Sequence, residues 1–264
     1  MQEDIDDKKM PLLDHLVELR SRLLYSAVGF LAAFGVCYYF HLDIYRFLTV
    51  PLAEAVGHEA GRRMIYTGLT EAFFTYIKVS SWAALFLSFP IIASQIWMFV
   101  APGLYKNERG AFLPFLVATP VLFFLGGLLA YYFIIPLAWK FFVGFEAPAV
   151  DGNLPIVLEA KVSEYLSLVM TLIFAFGLSF QMPVLLTLLG RVGMVSADGL
   201  TQARRYAIVG IFIFAAIVTP PDVFSQVGLA IPMLLLYEVS ILSVRLIERQ
   251  RAKREAELDA ESSS

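Results

Sequence analysis

The sequence predicts an all-α integral membrane protein with six transmembrane helices and with both termini in the cytoplasm. The chain is 59% hydrophobic and 16% charged, whereas an ordinary soluble domain carries roughly 25% charged residues. Its mean hydropathy of +0.72 leaves too little polar surface to cover a water-soluble globule. Long apolar runs and the placement of lysine and arginine then predict the number of crossings and their orientation.

Six apolar runs are candidates for the spanning helices, each of which needs about 20 residues. They cover residues 23–42, 71–101, 111–142, 162–190, 206–219 and 223–244. The second and third runs exceed what a bilayer requires, so we expect those helices to tilt, bend at their prolines or protrude. The fifth run would span only about 21 Å of a hydrocarbon core that is about 30 Å thick. Either its flanks extend it or the membrane is thinner beside it, and we expect helices five and six to be short.

The runs divide the chain into three parts. Residues 1–22 form an N-terminal tail with an amphipathic helix, since its leucines recur at helical spacing, at Leu12, Leu16, Leu19 and Leu23. Residues 23–244 form the six-helix membrane domain. Residues 245–264 form a charged tail, for which we expect a short frayed helix followed by disorder.

Lysine and arginine predict the orientation, because cytoplasmic loops carry an excess of both. With the N-terminus inside, fourteen of the 20 lysine and arginine residues lie in the two tails and the inner loops. Four lie in the outer loops, and the opposite orientation would invert this asymmetry. The distribution therefore predicts that both termini are cytoplasmic.

The two long outer segments, residues 43–70 and 143–161, are too apolar for floppy loops, so we expect a structured external cap. The last two helices are joined by Thr219-Pro220-Pro221-Asp222. Two prolines stop the helix before them, and Asp222 is a residue type that caps the helix after them. This pattern predicts a tight reversal at the outer surface.

Enzyme chemistry finds no support in the sequence. The three histidines fall on different segments, and the single cysteine, Cys37, lies inside an apolar run. The chain has no phosphate-cradling loop, no nucleophile elbow and no cysteine–histidine cluster. We therefore expect neither an enzyme nor a cofactor, metal or nucleic-acid binding protein.

Two carboxylates near the predicted inner surface have two interpretations. Glu18 shares one helix face with Asp14 and Arg22, and Glu108 lies in the short inner loop beside Arg109. Each glutamate could be an ordinary solvated charge, Glu18 as an i,i+4 pair with Arg22. Alternatively, the two could bind a cationic ligand together. Spacing alone favours the first interpretation.

Two polar residues fall inside predicted membrane helices, where such groups usually face protein or water. Gln181 lies beside Pro183, and its simplest role is a hydrogen bond to a backbone carbonyl that the proline opens. Glu238 lies about 16 residues into the sixth helix, so it could be a snorkelled or protonated carboxyl near the inner interface. Both interpretations remain open beside a functional one.

Four motifs resemble the TatC family, the multispanning receptor subunit of the twin-arginine translocation system. They are HLVELR at residues 15–20, QIWMFVAPGLYKNER at 95–109, FGLSFQMP at 176–183 and TPPDVFSQ at 219–226. The resemblance covers about residues 11–245, in the same order and with similar spacing. It implies a protein of the bacterial cytoplasmic (inner) membrane with six helices.

The resemblance implies a receptor and core subunit of a Sec-independent protein translocase. Such a subunit binds the Arg-Arg signal peptides of folded precursors at the cytoplasmic face. It assembles with single-span partners of the TatA and TatB type for export driven by the proton-motive force, and it self-associates in a larger complex. The positions that the resemblance assigns to signal-peptide binding are Glu18, Leu19, Arg20, Phe99 and Glu108.

The resemblance also assigns roles within and beside the membrane. Gln181 stands where the family commonly has a glutamate, so a titrating group there is in doubt, although a glutamine can still bind a partner helix. Thr219 and Gln226 match a polar patch for partner docking. Structural or assembly roles fall to Pro51, Asp222 and Glu238.

Two other classes of protein remain as alternatives. A secondary transporter or channel for a small solute would have broken helices, a midplane site and repeated halves, and the sequence shows no internal repeat. A pure assembly scaffold is the third hypothesis. Only the receptor predicts that binding distinguishes an Arg-Arg peptide from a Lys-Lys one.

Overall fold

The structure is a computed structural model that describes residues 3–57, 63–104, 113–147, 154–219 and 222–262. Within these ranges the chain is helical apart from turns and a few extended residues. The α-helices in chain order are α1 (Glu3–Tyr39), α2 (His41–Val56), α3 (Glu71–Leu104), α4 (Leu113–Leu129), α5 (Ile135–Val143), α6 (Val162–Ser179), α7 (Met182–Val192), α8 (Ala197–Val218) and α9 (Val223–Ser262). A π-helical turn at Ala130–Ile134 joins α4 to α5.

Six helical stretches among the described residues are long and apolar enough to cross a membrane, which confirms the predicted fold class. They are His15–Tyr39, Glu71–Phe99, Pro114–Val143, Val162–Val192, Ala197–Val218 and Val223–Lys253. Which side of the membrane each end faces stays a prediction from the lysine and arginine distribution.

The last two helices are longer than the sequence predicted. The fifth span, α8, has 22 residues because it begins at Ala197 rather than at residue 206. Ser196 caps this start, since its Oγ accepts a hydrogen bond from the Gly199 N–H at 3.1 Å. The polar residues before the apolar run therefore extend the helix, which is the first of the two predicted alternatives. The sixth, α9, has 40 residues and continues through the charged tail to Ser262, so the helical part of that tail is also longer than expected.

Three other helices differ in detail from the sequence prediction. The predicted tail helix and first span form one continuous helix, α1. The described part of α3 contains Pro102 and Gly103, which we expected to end it. The third and fourth spans bend where prolines predicted a break. The π-helical turn precedes Pro136, and a turn at Phe180 and Gln181 precedes Pro183.

The chain forms two compact units, the first of which comprises Met1–Phe47 and Gly68–Pro120. In this unit α1 lies antiparallel against α3. His15 meets Phe99 at one end, Gly29 faces Ile91 in the middle, and His41 meets Tyr76 at the other end. The indole N–H of the buried Trp97 donates to Thr119 Oγ1 at 2.8 Å and links α3 to the start of α4.

The second unit comprises Leu48–Thr67 and Val121–Ser264 and holds the tightest helix contacts. A Cβ placed on Gly126 would lie 2.5 Å from the Phe176 carbonyl oxygen, so α4 and α6 touch through their backbones. A Cβ on Gly190 would lie 2.7 Å from the Val244 side chain, which brings α7 equally close to α9. Small residues permit such close approach between membrane helices.

The predicted cap is structured in the described residues of the second unit. Ile65 pairs with the strand-like residues before α6, since its N–H donates to the Ala160 carbonyl at 3.1 Å and its carbonyl accepts from Val162 at 2.9 Å. Ala147 and Ile156 exchange two backbone hydrogen bonds. The Tyr165 hydroxyl donates to the Leu48 carbonyl at 2.7 Å and ties α6 to α2.

Candidate functional site

The four predicted binding residues that the structure describes lie where residues 15–22 of α1 meet the last turns of α3, within the first unit. Glu18, Leu19 and Arg20 are on α1, and Phe99 is on α3. Leu19 is 42% exposed, and Arg20 is exposed as well. The antiparallel packing of the two helices thus brings the first sequence motif beside the second.

The Glu18 carboxylate accepts hydrogen bonds from a guanidinium on its own helix. Arg22 donates to Glu18 Oε1 from Nη2 at 3.1 Å and from Nε at 3.4 Å. The third nitrogen, Nη1, faces α3 and donates to Gln95 Oε1 at 3.4 Å and to Met98 Sδ at 3.6 Å. The i,i+4 pair predicted from spacing is therefore present. It is only part of a cluster that joins the two helices.

Phe99 also has a partner on α1. The imidazole of His15 stacks on its ring, with the centroids 4.2 Å apart and the planes 16° from parallel. Offset stacking of this kind adds stabilisation beyond the area that it buries. His15 and Arg22 stand seven residues apart, two helical turns, so both contact α3 from the same side of α1.

Glu108 lies outside the described residues, because the structure leaves out 105–112. Whether its carboxylate meets that of Glu18 therefore stays a prediction. The described part of α3 ends at Leu104, four residues before Glu108.

Gln181 follows the predicted structural interpretation. It precedes α7 in the turn that interrupts the fourth span, and it is buried. Its side-chain Nε2 donates to the Gly177 carbonyl at 3.4 Å. That carbonyl would pair with the Gln181 N–H in a regular helix, but this N–H donates to the Leu178 carbonyl at 2.9 Å instead. The missing N–H of Pro183 concerns the Ser179 carbonyl, so the turn rather than the proline leaves the Gly177 carbonyl open.

Near the turn between α8 and α9, most of the predicted polar residues form hydrogen bonds within the chain. Asp222 caps α9 as predicted, because its Oδ1 accepts from the Ser225 N–H at 2.7 Å. The buried Thr219 donates through its hydroxyl to the Ala215 carbonyl at 2.8 Å. Gln226 is half-buried, and its Nε2 donates to the Phe212 carbonyl at 3.4 Å. Pro51 is buried within α2, which agrees with a structural role.

Glu238 has a partner that the sequence did not reveal. Arg204 on α8 donates to its Oε2 at 2.7 Å, and both side chains are about half exposed, at 46% and 48%. The Tyr237 hydroxyl donates to the Leu200 carbonyl at 2.8 Å one turn away. Glu238 thus joins α8 to α9 as a member of an ion pair. The interpretation of Glu238 as a snorkelled or protonated carboxyl did not include this partner on α8.

Sequence reasoning missed four residues that contact the predicted ones. His15, Gln95 and Met98 stand inside the two quoted motifs but were not singled out, and Arg204 was not predicted as the partner of Glu238. A signal for three of them exists in hindsight. His15, Glu18 and Arg22 share one face of a helix, and Gln95, Met98 and Phe99 share one face of another.

Known proteins resemble this chain in sequence and in fold. The family model described as the Sec-independent protein translocase protein (TatC) matches residues 14–232. The chain belongs to the TatC family.

Individual TatC proteins match nearly the whole chain. The one from Magnetococcus marinus is 52% identical over 255 residues, covering 97% of this chain and 91% of the relative. The one from Escherichia coli is 40% identical, covering 93% and 92%. A crystal structure of the twin-arginine translocase receptor TatC superposes with a TM-score of 0.73 at 36% identity, covering 89% of this chain and 99% of that one.

Membership of the TatC family decides among the classes left open by the sequence. The family is one of protein translocation, so the chain is not an enzyme, and the transporter or channel alternative finds no support. Six apolar helices together with these relatives make the chain a multi-pass protein of a bacterial inner membrane.

Proposed function

We propose that the chain is the receptor and core subunit of a twin-arginine translocase, and that it binds Arg-Arg signal peptides of folded precursors through the α1–α3 site. Binding takes place at the cytoplasmic face, where the lysine and arginine distribution puts this end of α1. The ligand contacts are Glu18, Leu19, Arg20, Phe99 and Glu108.

One observation carries the assignment to this site. The Glu18 carboxylate already accepts hydrogen bonds from a guanidinium within the chain, that of Arg22. The Glu18 side chain nevertheless remains 31% exposed. A guanidinium is planar and always charged, and it can bind a carboxylate through two parallel hydrogen bonds, whereas lysine offers a point charge. A partly exposed carboxylate beside an aromatic ring is thus suited to an arginine with an apolar neighbour.

Chain connectivity supports a contribution from Glu108. Its Cα can be no more than about 14 Å from that of Leu104, because four residues separate them and each spans at most about 3.6 Å. The last turns of α3 hold Met98 and Phe99 against α1. A short peptide with two adjacent arginines is therefore long enough to reach from Glu18 toward Glu108.

The membrane-embedded positions belong to assembly in this proposal. Thr219 and Gln181 are buried and hydrogen-bonded within the chain, whereas Gln226 retains exposed surface beside Val223 and Phe224, which are 69% and 48% exposed. Docking of TatA- and TatB-type single-span helices then centres on Gln226 rather than on Gln181. Export by the complex is driven by the proton-motive force.

The test measures binding of a labelled Arg-Arg signal peptide and its Lys-Lys counterpart to the full chain in lipid nanodiscs. A hydrogen bond to a charged group contributes about 1.5–3 kcal/mol, so Glu18→Gln should weaken Arg-Arg binding by about 10- to 100-fold. Glu108→Gln should act in the same direction.

The matched control is Glu164→Gln, which removes a 77% exposed carboxylate on α6 that pairs only loosely with Lys161 at 3.7 Å. This variant should bind both peptides like the wild type. Equal binding of the two peptides to the wild type, or unchanged binding by Glu18→Gln, would exclude the proposed site.

A further inference from the structure

The Arg22 guanidinium donates hydrogen bonds to the Glu18 carboxylate, which is the group that the proposed function assigns to binding of the signal peptide. We infer that Arg22 is a specificity-determining residue, a fixed positive charge beside Glu18 that makes the site reject cations other than the guanidinium groups of the signal. The inference rests on the proposed function, because it concerns the selectivity of the same site.

The geometry leaves Glu18 only partly occupied. Both hydrogen bonds from Arg22 go to one oxygen, Oε1, at 3.1 and 3.4 Å. A carboxylate has two oxygens and about four lone-pair sites, so Oε2 keeps its capacity to accept. A second guanidinium can therefore bind Glu18 without first removing the internal one.

The charges explain why this arrangement is selective. Arg22 neutralises the formal charge of Glu18, so an approaching cation meets an ion pair rather than an isolated carboxylate. A lysine ammonium is a compact, strongly hydrated charge, and the neutralised pair attracts it little. An arginine is more weakly hydrated and has five donors in a fixed plane, so directed hydrogen bonds to Oε2 and to neighbouring acceptors offset the repulsion from Arg22.

Contacts with α3 keep Arg22 in place while a ligand binds. Its Nη1 is held by Gln95 Oε1 at 3.4 Å and by Met98 Sδ at 3.6 Å, both on the neighbouring helix. The Arg22 side chain is 29% exposed, which limits its escape into solvent. The positive charge is thus a fixed part of the site, and every ligand must bind beside it.

A purely structural role makes a different prediction. If Arg22 only ties α1 to α3, its loss should weaken the binding of every signal peptide by the same factor. If its charge sets the selectivity, its loss should strengthen the binding of Lys-Lys peptides selectively, because Glu18 would then attract any cation. The ratio of the two dissociation constants separates these cases even if some packing is lost.

The test compares Arg22→Gln and Arg22→Lys with the wild type, using the same two peptides and the full chain in nanodiscs. Removing the charge should tighten Lys-Lys binding by about tenfold and change Arg-Arg binding by less than about threefold. Arg22→Lys keeps the charge and should keep the ratio within about threefold of the wild-type value. Arg249→Gln, an equal charge change at an exposed position on α9, should leave the ratio unchanged.

The double variant Glu18→Gln/Arg22→Gln shows whether the effect passes through Glu18. On the inference, Arg22→Gln has no effect on the peptide ratio once the carboxylate is gone. An unchanged ratio in the single variant, or a change that persists in the double variant, would overturn it. Failure of the proposed function has a separate signature, since Arg-Arg binding would then be insensitive to Glu18→Gln alone.

Discussion

The α1–α3 contact in the first unit of this TatC-family chain and the α4–α6 contact in the second are packed in opposite ways. In the most apolar stretch of the first span, His15–Tyr39, only 11% of residues are buried, against 44% in the third and fourth spans, Pro114–Val143 and Val162–Val192. The fifth span, Ala197–Val218 in the second unit, is as little buried as the first, at 11%. The first unit is held by side chains, such as His15 on Phe99 and Arg22 on Gln95. In the second unit, α4 and α6 touch through their backbones at Gly126 and Phe176.

The glycines show the same difference. A Cβ on Gly126 or Gly177 in the second unit would overlap backbone or ring atoms at 2.5–2.7 Å. On α1 in the first unit, a Cβ on Gly29 would meet only the flexible Ile91 side chain at 3.0 Å, and one on Gly35 would meet nothing within 4 Å. Open space of this kind also surrounds Gly210 on α8, so the difference concerns the α1–α3 and α4–α6 contacts. The α1–α3 pair can therefore rearrange its side chains around a ligand, whereas the α4–α6 contact cannot accommodate even one added methyl group without a shift.

Among the substitutions that test this difference in packing, Gly126→Val should lower the stability of the protein most. The new side chain would collide with the Phe176 carbonyl, which belongs to a helix backbone and cannot move alone. Overpacking of a core costs about 1–3 kcal/mol, and we expect about 3 here because the obstacle is backbone. Thermal unfolding of the detergent-solubilised protein should then show a midpoint lower by about 6–12 °C.

The matched control for that variant is Gly35→Val in the first unit, which introduces the same side chain into open space on α1. Its midpoint should stay close to that of the wild type. Equal destabilisation by the two substitutions would mean that the units do not differ in packing as the glycine contacts indicate.

The cap of α9 should matter less, but more than an exposed carboxylate of the first unit. Asp222→Ala removes the acceptor for the Ser225 N–H, and loss of such a cap costs about 1 kcal/mol. The unfolding midpoint should fall by about 2–4 °C. Asp222→Asn keeps a side-chain oxygen that can cap, so it should retain most of the stability.

Asp43→Ala serves as the control for the cap. Asp43 is 67% exposed and pairs with Arg46 at 3.5 Å, and pairs of this kind contribute little. Its midpoint should be nearly unchanged. If Asp222→Asn were as damaging as Asp222→Ala, the charge of the carboxylate rather than its capping hydrogen bond would be the stabilising element.

The features that the sequence predicted correctly depend on neighbours along the chain. Apolar runs of sufficient length predicted the six spans, and the i,i+4 spacing predicted the pair of Glu18 and Arg22. A hydrogen bond from the Gln181 side chain to a backbone carbonyl was also predicted, although the turn at Gln181 rather than Pro183 leaves that carbonyl open. The residue type at Asp222 predicted the cap of α9.

The features that the sequence did not predict depend on the packing of distant segments. Arg204 and Glu238 are 34 residues apart, and only the pairing of α8 with α9 brings them together. The stack of His15 on Phe99 requires a particular rotation of α1 against α3. The length of α8 was underestimated because an apolar run shows where hydrocarbon begins, whereas Ser196 shows where the helix begins.

Removing the stack of His15 on Phe99 should have the smallest and most local effect on the stability of the α1–α3 contact. His15→Ala removes an aromatic pair that stabilises the end of α1 by about 0.5–1 kcal/mol, toward the lower part of the range for such pairs because His15 is exposed. Amide hydrogen exchange around residues 15–20 should accelerate by about 2- to 5-fold, while exchange in α6 stays unchanged. Val17→Ala is the matched control, since Val17 is 64% exposed in the same turn. Slower or unchanged exchange in His15→Ala would show that α1 is held there by the Arg22 cluster alone, and the first unit would then depend on one side-chain contact at this end instead of two.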